Sequence, residues 1–314
     1  GSGMNDFFTV AIITATLASG IRLAVPFLLA ALGEAVGQRA GVLNLGVEGV
    51  MLIGAFAAYY AALESGSAAF GLFMGLVVGT VMGLIYAFIT VVMHAEQGIS
   101  GIGIYLFGLG FTDLLFQKQV GTPRPISGLQ TKPFNWLADD TGRAGELLFS
   151  HTILTYVAFL LVPVIYFLIT RTTFGLNVRA VGENPQAADT LGVNVNGIRT
   201  AAIVIGNTMA GLAGAALALE IGIFQQNLTA GRGFIAIALV YFGAWRPVGV
   251  MAGSLLFGIV SSTVLQLQVQ DVISGSVASI ANMAPAVLTV IVLVVVSRRI
   301  GQPAALTRPF TRDS

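Results

Sequence analysis

The 314-residue chain has no cysteine, two lysines and two histidines. The missing cysteine excludes disulfides, thiolate zinc sites and iron–sulfur clusters, and His94 and His151 lie too far apart in sequence to suggest a metal pair. The lysines, Lys118 and Lys132, follow Gln117 and Thr131, whereas a phosphate-cradling loop needs Gly-Lys followed by Ser or Thr. An internal nucleotide-hydrolysing loop of that kind is therefore excluded. Charge is also scarce: 9% of residues are charged, against about 25% in a soluble domain, so water cannot be the solvent for most of the surface. The net charge of +1 is spread over scattered basic residues, which removes the electrostatic footprint of a nucleic-acid binder. No paired catalytic carboxylates or histidine cluster stand out, so neither a catalytic residue nor a resident metal is assigned.

What is present is apolar. Hydrophobic residues make up 56% of the chain, in runs close to the ~20 residues that cross a ~30 Å hydrocarbon core. The expected fold class is an all-α integral membrane protein, one transmembrane domain over 1–314. Apolar runs predict crossings near 7–20, 22–38, 46–63, 70–93, 101–117, 151–170, 199–222, 230–244, 249–269 and 278–297. That is about ten helices, within a range of eight to eleven, several short enough to be re-entrant or broken. Gly1-Ser2-Gly3 ahead of Met4 reads as a tag remnant. Met4–Ser19 lacks the basic start and cleavage site of a secretory signal, so the first helix should stay attached.

Basic residues in short loops are retained on the cytoplasmic side. Placing both termini there puts Arg39, Arg171, Arg179, Arg199, Arg246, Arg298, Arg299, Arg308 and Arg312 inside, nine of the fifteen Lys and Arg. Lys118, Arg124, Lys132 and Arg143 fall in the 118–150 loop, where Asp139, Asp140 and Glu146 offset them. That loop, with Pro123, Pro125, Pro133 and Trp136, should form an external cap. The polar 171–199 segment should face the cytoplasm.

Within that segment Asn184 is a plausible N-cap directly before Pro185, whose fixed φ suits the first helical position. A two-turn helix over Pro185–Leu191 would present Ala187, Ala188 and Leu191 on related faces, and Gly192 stands where a helix stops. Isolated helices below about 12 residues are marginal in water, so this one needs something to pack against.

The string GENPQAADTLG, from Gly182 to Gly192, resembles the cytoplasmic coupling-helix motif of ABC importer permeases. The matching family serves simple sugars, nucleosides and related solutes, ribose-type and branched-chain-amino-acid-like, with nucleoside permeases most similar. GQRAGVLNLGVEGVMLIGAF, Gly37 to Phe56, is similar to the family's second hallmark, and the likeness runs from about Pro26 to Val296, with the coupling segment after the sixth crossing. The resemblance implies a cobalamin-importer-like permease fold in the cytoplasmic membrane of a prokaryote. It implies a separate cytoplasmic ABC ATPase, holding ATP-Mg, that grips Gly182, Glu183, Asn184, Pro185, Ala187, Ala188, Leu191 and Gly192. It also implies a second permease subunit, a different chain, and an external solute-binding lipoprotein; no cofactor is expected in this chain. The competing expectation is a stand-alone secondary transporter or channel, which would need no cytoplasmic docking helix.

Charged groups at bilayer depth are costly and usually face a bundle interior or an aqueous cavity. Glu34, Glu48, Asp113 and Glu220 lie in or near predicted spans, with Asn44, Asn207, Gln225, Gln226, Asn227, Gln266 and Asn282. Asn44, Glu48, Asn207 and Glu220, with Phe107 and Phe111 one helical turn apart, are the candidate lining of a solute path. Interhelical hydrogen bonding is the alternative role for each polar residue. Gly101, Gly103, Gly108 and Gly110 offer two offset small faces, for which tight helix packing is the default.

Overall fold

The computed structural model describes residues 10–129, 132–136, 142–270, 272–297 and 301–311. Among them the regular structure is helical: α1 (Val10–Arg39), α2 (Val47–Ser65), α3 (Ala68–Ala87, continued by a π-helical turn at Phe88–Val92), α4 (Gln97–Gln119), α5 (Gly142–Phe149), α6 (Ile153–Arg171) and α7 (Thr173–Glu183). Next come α8 (Pro185–Thr190), α9 (Val195–Ile221), α10 (Arg232–Phe242), α11 (Pro247–Val269), α12 (Gly275–Ala281) and α13 (Ala284–Ser297). Seven described helices, α1, α2, α3 with its π turn, α4, α6, α9 and α11, are long and apolar enough to cross a bilayer. The chain is a multi-pass membrane protein.

The predicted crossings near 7–20 and 22–38 are one helix. Gly20, inside that helix, serves as a contact: a Cβ there would stand 2.9 Å from the Ile259 Cα of α11. Pro26 removes one ladder N–H without ending α1. At about 1.5 Å per residue, Val10 lies some 44 Å along the helix from Arg39. Arg39 sits beside the C-terminal segment, where Thr307 donates to the Gly41 carbonyl (3.2 Å) and Ala305 to that of Gly182 (2.9 Å). Val10 and the segment at 305–307 therefore lie toward opposite ends of α1. The coupling segment follows the fifth long helix rather than the sixth. The run at 230–244 is the 11-residue α10, too short to cross, and 278–297 is divided between α12 and α13. Residues 1–3, Asp139, Asp140, Arg298, Arg299 and Arg312 lie outside the described residues.

Helix α9 is the central post, buried along most of its length. In lipid no hydrophobic force drives helices together, so close approach of small residues must do so. A Cβ on Gly54 would meet the Gly211 carbonyl oxygen at 2.6 Å, one on Gly79 the Asn207 oxygen at 2.5 Å, and one on Gly33 the Gly206 oxygen at 2.7 Å. On α4 the two glycine faces differ. Gly101 and Gly108 press on the backbone of Leu45 and Gly49, whereas Gly103 and Gly110 face open space. We expect Gly54→Val to lower stability by about 2 kcal/mol through overpacking against backbone, with Gly103→Ala close to wild type. Thermal unfolding in detergent checks the contrast, and equal shifts would refute it.

At the end of the bundle away from the coupling segment, residues 122–129 cross the helix ends. Arg124 offers its carbonyl to the Tyr59 hydroxyl (2.8 Å), and Ile126 donates to the Gly222 carbonyl (2.8 Å).

Candidate functional site

Local chemistry builds the coupling segment. The Asn184 Oδ1 accepts from the Ala187 amide at 3.0 Å, Pro185 fills the first helical position, and Gly192 leaves the helix at φ +84°. Before it, α7 is capped by the Thr172 hydroxyl, which accepts from the Gly175 amide (3.0 Å). After it, the Asn194 Oδ1 accepts from the Gly197 amide (2.9 Å) and starts α9. Three caps within about two dozen residues hold α8 as a two-turn projection. Glu183, Asn184, Ala187, Leu191 and Gly192 are exposed, Leu191 at 85%, while Gly182, Pro185 and Ala188 point into the protein. Beside α8 lies a groove of about 630 Å³ whose walls include His94, Asp189, Asn196 and Phe310.

The C-terminal segment supports α8 from beneath. Phe310 joins Val181, Ala188 and Val195 in one buried cluster, and the Arg199 guanidinium donates to the Arg308 carbonyl at 2.9 Å. Nothing in the local sequence of 301–311 announced this contact. Arg39, Arg179 and Arg246 line one recess at the same end.

Above it the Gly37–Phe56 segment folds around buried polar groups. The Glu34 carboxylate accepts from the Gln38 amide (3.0 Å) and the Asn44 backbone N–H (3.1 Å); Asn44 Nδ2 donates to Asn207 Oδ1 (3.0 Å), and Asn207 Nδ2 to the Ile203 carbonyl (2.9 Å). The Trp245 indole donates to Gln38 Oε1 (2.8 Å), the Gln97 side chain accepts from the Leu43 amide (2.9 Å), and the Tyr86 hydroxyl donates to the Leu43 carbonyl (2.8 Å). Glu48 holds another element. Its carboxylate accepts from the Thr229 hydroxyl (2.6 Å), the Gly231 amide (2.7 Å) and the Gly233 amide (2.5 Å), fixing the approach to α10. Asn44, Glu48 and Asn207, predicted as path lining, are 5%, 1% and 1% exposed and make these bonds between elements. Gln38, Tyr86, Gln97, Thr229 and Trp245 were missed; Gln38 and Gln97, polar at the ends of apolar helices, were the signal available.

The remaining candidates lie apart. The Phe107 and Phe111 rings stack 5.1 Å apart on an exposed face of α4, and Phe111 borders a groove with Ile53, Phe56, Tyr60, Glu64 and Phe70. Glu220 stands at a separate pocket of about 240 Å³ with Arg22, Arg232, Ser19, Thr152 and Thr155.

The model of the family described as branched-chain amino acid transport system / permease component matches residues 16–296. The chain belongs to this permease family. It is 35% identical to a putative glucose ABC transporter permease of Haloferax volcanii, over 93% of this chain and 96% of the relative. It is 33% identical to a guanosine ABC transporter permease of Bacillus subtilis, over 92% and 94%, and 33% identical to a nucleoside ABC transporter permease of Lactococcus lactis, over 92% and 93%. No solved structure matches the permease.

Proposed function

We propose that this permease is the membrane-spanning subunit of an ATP-driven importer that carries a nucleoside, purine-like compound or simple sugar into a prokaryotic cytoplasm. The observation that carries this reading is α8, a capped helix of six residues, too short to cross a bilayer, that presents exposed Leu191 beside a groove at one end of the bundle. A cytoplasmic ABC ATPase, holding ATP-Mg, grips it. Closure of the ATPase pair then biases two arrangements of the helices, the coupling of alternating access to hydrolysis. Arg39, Arg179 and Arg246 converge at this end, which supports its cytoplasmic placement by the retention of basic residues. A second permease chain completes the path in a cobalamin-importer-like arrangement, an external solute-binding lipoprotein delivers the solute, and this chain itself needs no cofactor. The identity to guanosine, nucleoside and glucose permeases supports the solute class.

The test is uptake of labelled guanosine and glucose into proteoliposomes. ATP-dependent uptake is expected only with the ATPase, second permease and binding protein present. Full uptake by this chain alone without ATP would defeat the proposal.

A further inference from the structure

Between α9 and α10, from Gly222 to Gly231, the backbone runs without helical structure. Asn227 and Ala230 take left-handed φ values of +54° and +44°, and Gly231 +87°. The segment descends beside α4. Near its upper part the Gln226 amide donates to the Asp113 carboxylate, whose other oxygen accepts from Gln117 Nε2 at 3.0 Å. Lower down, Phe234 meets Tyr105 edge to face at 5.2 Å. At 1.5 Å per residue these two levels lie about 24 Å and about 12 Å from the start of α4, both inside the thickness of a bilayer. Non-helical backbone at such depth is tolerated only where protein buries it or where it lines a water-filled cavity. Here three consecutive amide side chains, Gln225, Gln226 and Asn227, are exposed, and they cannot face hydrocarbon without leaving their donors and acceptors unpaired. Phe111 lies about 160° round α4 from Asp113, so the stacked phenylalanines belong to a different face.

Resting on the importer reading, we infer that Gln225–Asn227 and Asp113 form the solute-recognising station of the path. Neutral amides offer a donor and an acceptor each, and they suit a neutral ring carrying hydroxyls or ring heteroatoms, ribose-linked base or hexose alike. The Asp113–Gln226 bond joins the unwound segment to α4, so a solute hydroxyl that exchanges with it separates the two elements.

The cysteine-free sequence makes the test direct. Gln225→Cys, Gln226→Cys and Asn227→Cys, with Phe73→Cys on the exposed apolar face of α3 as control, are introduced into the complete transporter in proteoliposomes. Each is treated with a membrane-impermeant charged thiol reagent, and modification of this chain is read by mass. Labelling at 225–227 is expected to outrun the control. At a solute concentration ten times its dissociation constant, guanosine or glucose should slow it about tenfold by occupancy, and the solute that does so identifies the ring. Labelling no faster than at Phe73→Cys, or fast labelling that neither solute slows, overturns the station. ATP-driven uptake alongside unprotected labelling removes the station and leaves the importer reading standing. Protected labelling with ATP-independent uptake by the chain alone does the reverse.

Discussion

Leu191→Asp is expected to abolish ATP-driven uptake and to release the ATPase during purification, while membrane insertion and thermal stability stay at wild-type values. Leu191 is 85% exposed on a short helix that local caps hold rigid, so the side chain loses little freedom on docking. Apolar anchors of this kind at an interface centre cost about 2 kcal/mol or more when removed, roughly thirtyfold in affinity, and a carboxylate adds desolvation. Glu183→Arg, at an exposed position one residue before the Asn184 cap, should weaken the same contact by reversing charge. Ala188→Trp is a different experiment. Ala188 is 3% exposed against Val181, Val195 and Phe310, so an indole there would expel the C-terminal segment and test the support beneath α8. Normal uptake and ATPase recovery with Leu191→Asp would remove α8 from coupling.

The features visible in the sequence are those whose chemistry is local. An Asn before Pro, two turns of small residues and a Gly specify α8 within nine positions, and the caps form as that pattern dictates. The first crossings failed because a glycine has two uses. Gly20 can end a helix or admit a neighbour's backbone, and only the presence of α11 at Ile259 decides between them. Merging two crossings into one lowers the count of long helices by one.

The site divides along the same line. Depth and apolar surroundings flagged Glu48, Asn44 and Asn207 as polar groups in the membrane, but their partners lie 181, 10 and 163 residues away at Thr229, Glu34 and Asn44. A polar residue's role in a bilayer depends on whether a partner is within reach, which is a tertiary fact. Gln225–Asn227 carried the same sequence signal and remain exposed. Length gave the better clue at α10, since a run of about fifteen apolar residues is too short for a full span and allows a dip from one side.

Glu48→Ala is expected to destabilise the permease by roughly 3 kcal/mol or more, since two buried donors and the half-buried Gly231 amide lose their acceptor at about 1–3 kcal/mol each. Helix α10 has eleven residues and spans about 16 Å, so it cannot anchor itself across the bilayer. Its depth is set by the clamp at its first turn, where the Glu48 oxygens receive Thr229, Gly231 and Gly233. A Cβ on Gly233 would stand 2.6 Å from the Glu48 Cα, so the two backbones touch and no other side chain can replace the contact. Glu48→Gln, equal in size, keeps one acceptor oxygen but turns an NH₂ toward a backbone N–H, and should fall between alanine and wild type. Thermal unfolding in detergent and hydrogen exchange at residues 229–233 measure both effects. Alanine unfolding like wild type, with those amides still protected, would mean that packing around α10 sets its depth without the carboxylate. With the clamp lost, the unwound segment above α10 loses its register against α4, so uptake should fail in Glu48→Ala even where enough protein assembles with the ATPase to hydrolyse ATP.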